Sequence, residues 1–336
     1  MATHLKHGRI KLLVEVAMIV AVVALGMFWQ RTQDFADRPL VLNQKERVLL
    51  VESGDGFNAV LGKLRELGVY QGHDLEWKTL ARTLKVSNRL QVGEYAITSG
   101  LSPRLLLLRL AEGEVIQRKF TIVEGWSFRD LRAALSADAQ LEDQIAGLSD
   151  AQIMEKLGRD GVYPEGRFLP ETYVYTRGTG ELALLDRAAK AMDQALVQAW
   201  DSRAKELPLQ SADELLILAS IVEKETGLAS ERPQIAGVFV RRLNLGMRLQ
   251  TDPTVIYGMG SAYAGNIRKS DLETDTPYNT YTRAGLPPTP IAMPGKDALE
   301  AVAHPAEGDA LYFVARGNGA HYFSANLAEH NAAVRK

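Results

Sequence analysis

The sequence predicts a mixed α+β protein carried by one N-terminal membrane-spanning helix. Three observations lead there. An apolar run from Leu12 to Trp29 opens the chain; short runs of strand character alternate with helical spacings over the rest; and glycine or proline punctuation separates them. With 46% hydrophobic and 24% charged residues, 336 residues are enough for one large or two medium folded domains. A net charge of -2, without basic runs interleaved with aromatics, argues against a nucleic-acid partner. The absence of cysteine excludes disulfides, thiolate metal sites and a cysteine nucleophile.

Residues 1–11 read as a short cytoplasmic tail and 12–30 as the transmembrane helix, whose 18-residue core holds one charge, Glu15. The alternative is a cleaved signal peptide. However, Gly26-Met27-Phe28-Trp29 offers no small-x-small site, and Trp29 suits an interfacial anchor. Lys6, Arg9 and Lys11 precede the span, whereas Arg31, Arg38 and Lys45 follow it beside Asp34 and Asp37. That asymmetry tilts the orientation toward N-terminus inside. Residues 31–45, polar and without periodicity, read as a juxtamembrane linker.

Folding is expected to begin at Arg47–Val51, a strand, followed by Phe57, Val60, Leu61, Leu64 and Leu67 at helical spacing. A second helix carries Leu75, Leu80 and Leu84, and a strand covers Gly93–Ile97. This βααβ order within 46–115 has the size of a LysM-like glycan-binding module. Residues 116–336 form the larger α+β domain, with helices near 128–136, 180–201 and 212–226. Its tail closes in a hairpin from Ala310–Val314, through a turn at Arg316-Gly317-Asn318-Gly319, to His321–Ser324.

Several chemistries are absent: there is no G-x-S-x-G elbow, no phosphate loop and no H-E-x-x-H helix. The six histidines, at 4, 7, 73, 304, 321 and 330, lack metal-ligand spacing and read as ordinary surface or packing residues. The informative segment is Ser211–Gly227. Ser211 and Glu214 make an S-x-x-E capping box and Gly227 a C-terminal stop, so both helix ends are signed. Leu215 to Val222 is apolar on nearly every side, as in a helix running through a core. At 100° per residue Glu225 lies over Leu218, Ile221 and Val222, while Glu223 points about 200° away, over Leu216, Ala219 and Ser220. An apolar stripe and the negative end of the helix dipole both disfavour a charged carboxylate, which raises Glu225 toward the range of a general acid. Spacing alone favours a plainer alternative, the solvated last turn of an ordinary helix.

Four blocks change that balance: Leu218-Ala-Ser-Ile-Val-Glu-Lys-Glu-Thr226, Arg248-Leu-Gln-Thr-Asp-Pro-Thr-Val-Ile-Tyr-Gly258, Tyr278-Asn-Thr-Tyr281 and Gly285-Leu-Pro-Pro288. With Pro164–Tyr173, Ala303-His-Pro305, Leu311–Val314 and His321–Ser324 in the same order, the chain resembles the endolytic murein transglycosylase family, of the MltG or YceG-like type. The resemblance implies a single-pass inner-membrane protein whose LysM-like module and catalytic domain face the periplasm. It implies peptidoglycan glycan strands as substrate, cell-wall synthases as partners and no cofactor or metal. The catalytic acid/base it implies is the second glutamate of Glu-Lys-Glu, Glu225. Gln250, Tyr278, Asn279 and Tyr281 are candidates for hydrogen bonds to the sugar chain, with loop stabilisation as their alternative. Asp252 and Glu165 are further binding candidates, although Asp252 before Pro253 also reads as a helix N-cap. Two rival functions stand beside this one: a muramidase-type hydrolase with Asp252 or Glu165 as second carboxylate, and a non-catalytic peptidoglycan-binding scaffold for synthases.

Overall fold

The computed structural model describes residues 2–42, 44–317 and 319–335, with side chains from Lys11 onward. The chain divides into two units, Met1–Arg118 and Lys119–Lys336. In the first, α1 (Ala2–Asp37) does not stop at Trp29. Its stretch Lys11–Asp37 is long and apolar enough to cross a membrane, with a mean hydropathy of 2.5 over an 18-residue window. The expected linker 31–45 is thereby corrected: it is helical as far as Asp37. Phe35, Ala36 and Leu40 are buried, Phe35 meets Trp77 edge-to-face at 5.1 Å, and Arg104 Nε donates to Asp37 at 2.8 Å. The polar residues that suggest a linker form one side of the helix while its apolar residues pack on the fold.

The two strands and two helices expected next follow in order: β1 (Glu46–Val51), α2 (Phe57–Glu66), α3 (Asp74–Thr83) and β2 (Gly93–Thr98). The strands pair antiparallel, with Leu49 opposite Tyr95. Leu49 and Val51 turn inward and Val48 outward, the period of two that half-buried strands require. A third helix, α4 (Pro103–Glu112), completes the core with Leu106, Leu107 and Leu110. Both its ends are signed: Ser102 Oγ accepts from Leu105 N, Pro103 occupies the first turn, and Gly113 leaves at φ +75°.

The second unit opens with β3 (Arg118–Thr121), which pairs with β4 (Thr172–Tyr175), and α5 (Phe128–Ala137) and α6 (Asp150–Lys156) lie between them. The helical centre follows: α7 (Glu181–Ser202), α8 (Ala212–Glu225), α9 (Arg232–Asn244) and α10 (Asp252–Met259). After the short α11 (Lys269–Glu273) comes α12 (Lys296–Ala303), which packs on α7, α8 and α9. The hairpin of β5 (Tyr312–Ala315) and β6 (His321–Ser324) pairs Phe313 with Phe323, and α13 (Leu327–Val334) closes the unit. Asn318 of the expected turn lies outside the described residues.

The helix α8 is the pivot. Leu215, Leu216, Leu218, Ala219, Ile221 and Val222 are all essentially inaccessible to solvent, and they join residues of α7, α9 and α12 in one core. Its start matches the signature only in part: Ser211 Oγ accepts from Glu214 N, but the Glu214 carboxylate reaches Gln210 N rather than Ser211 N. Its end falls where it is signed, with Glu225 the last helical residue, Thr226 the C-cap and Gly227 next, but the geometry differs: Thr226 is extended and its hydroxyl accepts from Leu228 N. Gly227 is not left-handed.

Candidate active site

The last turn of α8 carries two carboxylates in opposite settings. Glu223 is buried and accepts from Arg232 Nη2 at 3.0 Å and from Gly295 N at 2.9 Å. Burial pushes its pKa up, and the Gly295 N–H and the Arg232 charge pull it back. Arg232 also reaches Glu124 and Asp297, at 3.1 and 3.3 Å. Glu223 is therefore a strut, not a solvated turn residue. Between the two, Lys224 donates to Gly125 O at 3.1 Å.

Glu225 is half-buried and faces other groups. Thr251 Oγ1 donates to its carboxylate. Its pKa is raised to about 7, first by burial; the Thr251 hydrogen bond opposes this, the Asp252 charge adds to it, and His321 and Arg242 oppose it. No cation pairs with it directly among the described residues, in contrast to Glu223.

The segment before α10 sets the Thr251 hydroxyl. Gln250 takes φ +49°, in the left-handed region that non-glycine residues rarely occupy. Its N–H donates to Thr280 O, and Thr251 N donates to Thr280 Oγ1 at 3.1 Å. Thr254 Oγ1 donates to Thr251 O at 2.7 Å and meets Thr280 Oγ1 at 2.9 Å. A ladder of three buried threonines thus fixes the donor opposite Glu225. Asp252 does not cap: the chain enters α10 one residue earlier, so Thr251 takes the N-cap position and Asp252 the first helical one. The Asp252 carboxylate accepts instead from Tyr281 OH at 2.6 Å. Burial first, then that contact, raises the Tyr281 phenol.

Arg242 is held beside this group by Leu311 O and Leu249 O, at 2.7 and 2.6 Å, with its guanidinium 5.1 Å over the Tyr312 ring. His321 Nδ1 lies 2.7 Å from Glu231 Oε2, and its backbone N–H donates to Oε1 of the same carboxylate at 3.0 Å. Its pairing with Glu231 fits the reading of His321 as a packing residue, here one that ties β6 to the segment before α9.

Two other candidates sit in a separate groove of about 650 Å³, lined by Glu165, Tyr163, Tyr257, Tyr278, Lys224 and Pro253 among others. Glu165 accepts from Phe128 N at 2.9 Å and from Tyr257 OH at 3.0 Å, and burial raises its pKa to about 7 against those two bonds. Both of its oxygens are occupied. Gly166 beside it has φ +78°, and a Cβ there would meet the Pro290 ring at 2.6 Å, so the two loops close tightly. Tyr278 OH lies 2.8 Å from Thr289 Oγ1. Asn279 reaches no groove. It is buried, its amide donates to Thr274 O and Leu272 O, and its carbonyl accepts from Tyr281 N, so the loop-stabilising alternative describes it.

Glu225, Asp252 and Tyr281 therefore come together around Thr251, with Gln250 adjacent, whereas Glu165 and Tyr278 line the other groove. Thr251, Arg242 and the His321–Glu231 pair are not singled out by sequence. Thr251 stands inside a quoted block, but a threonine before Asp-Pro signals only a helix start. No group of three or more His, Cys, Asp or Glu residues able to hold a metal occurs among the described residues.

The arrangement defines a class first: an α+β unit in which one uncompensated carboxyl emerges from a buried helix. A crystal structure of a yceG-like protein from Listeria monocytogenes is similar to this chain with a TM-score of 0.56 and 26% identity, covering 86% of this chain and 98% of that one. The sequence pattern of the YceG-like family matches residues 49–336, and the chain belongs to that family. Among its relatives, the endolytic murein transglycosylase of Bacillus subtilis (strain 168) is 32% identical over 271 residues, 75% of this chain and 74% of that protein. The protein of the same name from Streptococcus pneumoniae (strain D39) is 29% identical over 331 residues. That alignment takes in 88% of this chain but 59% of the streptococcal protein.

Proposed function

We propose that this chain is an endolytic lytic transglycosylase that cuts MurNAc–GlcNAc bonds within nascent peptidoglycan strands, with Glu225 as its single acid/base. The observation that carries the reading is the setting of Glu225: burial without a paired cation holds its pKa at about 7, so it can give a proton and take one back near neutral pH. The acid form protonates the oxygen leaving C1 of MurNAc. The resulting carboxylate accepts the proton of the C6 hydroxyl as that oxygen closes on C1, leaving a 1,6-anhydroMurNAc end. Substrate supplies the nucleophile, so the step needs neither a second carboxylate nor water.

Thr251 serves the carboxylate stage, since its hydroxyl stabilises the charged form. Gln250 and Tyr281 are the sugar-contacting candidates beside Glu225; Glu165 and Tyr278 fit a more distant part of the strand path. The catalytic portion spans 116–336 and the LysM-like module 46–115, the latter supported by the βααβ order and its own core. The helix of 12–30 anchors the chain to the inner membrane with its N-terminus in the cytoplasm and both units in the periplasm. Synthases that elongate the strand fit as partners of an enzyme cutting it close to the membrane.

The test is mass spectrometry of muropeptides released from purified sacculi by the full-length protein in detergent. Anhydro ends are expected. Reducing ends in their place would make the chain a muramidase-type hydrolase, and no cleavage in any condition would favour a binding scaffold.

A further inference from the structure

We propose that the joint between α1 and the first unit is a binding site for a phospholipid whose headgroup carries both a phosphate and a primary ammonium. This rests on the membrane-anchor reading above. The site is a cleft of about 720 Å³ between the last three turns of α1 and the loop that leads into α3. Lys11–Asp37 rises about 40 Å as a helix, the full thickness of a bilayer with its headgroups. With the hydrocarbon layer filled by 12–30, the next turns stand at headgroup depth; Arg31 and Asp34 share one face of the helix, and Arg38, just past its end, lines the same cleft.

The joint is built, not loose. Phe35 is buried against Trp77, and a Cβ on Gly72, at φ +72°, would lie 2.3 Å from the Phe35 ring, so the loop fits α1 without room for a side chain. The cleft is therefore held at a fixed height above the span.

Its chemistry has both signs. Arg31 uses Nε for Glu76, at 2.7 Å, and its two terminal nitrogens and the whole Arg38 guanidinium have no protein partner among the described residues. Asp34 is exposed and accepts only from Gln30, at 3.3 Å. Two guanidinium groups match a phosphate and one unpaired carboxylate matches an ammonium. A purely anionic headgroup would leave Asp34 opposed to its charge. The lower lip is apolar, with Met27 in the spanning stretch, and Tyr70 stands 73% exposed at the rim, where a tyrosine suits the membrane interface. Gln71 Oε1, buried and unpartnered in the same wall, is an acceptor awaiting a donor.

The experiment places the full-length protein in nanodiscs of phosphatidylcholine containing small equal amounts of phosphatidylethanolamine and phosphatidylglycerol, and reads retained lipid by native mass spectrometry. Wild type is expected to retain phosphatidylethanolamine about tenfold above the other two. Arg38→Gln should lose most of that retention. Asp34→Asn should keep phosphate-dependent retention but no longer separate ethanolamine from choline. Thermal unfolding of both variants, equal to wild type, excludes misfolding as the cause, since neither residue is paired in the core. Preference for phosphatidylglycerol, no preference at all, or a preference unchanged in Arg38→Gln would each overturn the site. Failure of the protein to enter nanodiscs would instead overturn the anchor reading.

Discussion

The two sides of the last turn of α8 start from the same residue type and end in opposite settings. On one side Glu223 meets Arg232 and the Gly295 N–H, and Arg232 gathers Glu124 and Asp297 as well. On the other, Glu225 meets a neutral hydroxyl and an acidic neighbour. Burial raises both carboxyls. What separates them is compensation: a paired buried charge ties elements together, and an unpaired one stays ready to exchange its proton.

The largest effect that would test the structural side is removal of the shared cation. Arg232→Ala leaves Glu223 buried with the Gly295 N–H but no cation and should cost about 3–5 kcal/mol, read as a lowered unfolding midpoint. Arg232→Met combined with Glu223→Leu should recover part of that loss, because two apolar side chains leave no orphaned charge and only the Gly295 N–H without its acceptor. If the double variant were as unstable as the single one, the pair would not be the strut described here.

A smaller and opposite pair of shifts sharpens the catalytic side. Asp252→Asn removes the charge that raises Glu225, so the alkaline limb of the pH–rate profile should move to lower pH. Thr251→Val removes a bond that lowers the same pKa, so that limb should move to higher pH while turnover falls. Shifts of the same sign in both variants would contradict the geometry.

The smallest expected effect is on stability at Glu165. Its folded value of about 7 lies above the 4.5 of an exposed glutamic acid. A raised folded pKa stabilises fully below the unfolded value and is lost as pH rises through the folded one. Wild type should therefore lose stability between about pH 4.5 and 7.5, by roughly 3 kcal/mol at most from this group. Glu165→Gln should show a flatter profile by urea unfolding across that range.

Much of this was legible in the sequence where local chemistry decided it. The helix α8 announces itself because Ser211 supplies a cap and an eight-residue run with Ser220 as its one polar member begins at Leu215, and the wheel separates Glu223 from Glu225 before any contact is known. The βααβ order was legible because its strands alternate and its helices keep their spacing. Other features depend on what the chain meets. Polar 31–37 reads as linker until Phe35 finds Trp77, and Gly227 follows the helix end as signed but without a left-handed turn, because Thr226 is already extended. Asp252 loses the cap position because Thr251 is fixed by Thr280, 29 residues away. Arg232 and Thr251 carry no sequence signal of their own roles, since each acts through a partner from another element. The helix α4 is different: Ser102-Pro103 before a leucine run and Gly113 after it are sufficient local signs of both its ends.

In the proposed mechanism one acid dominates, and it is the uncompensated one. Its most direct test measures 1,6-anhydroMurNAc ends from Glu225→Gln and Glu223→Gln beside wild type, with thermal unfolding of each. Glu225→Gln is expected to be well folded with its product lowered by about 10²–10⁴-fold, and Glu223→Gln to keep most of its turnover but unfold at lower temperature. A dead, stable Glu223→Gln beside an active Glu225→Gln would contradict that mechanism.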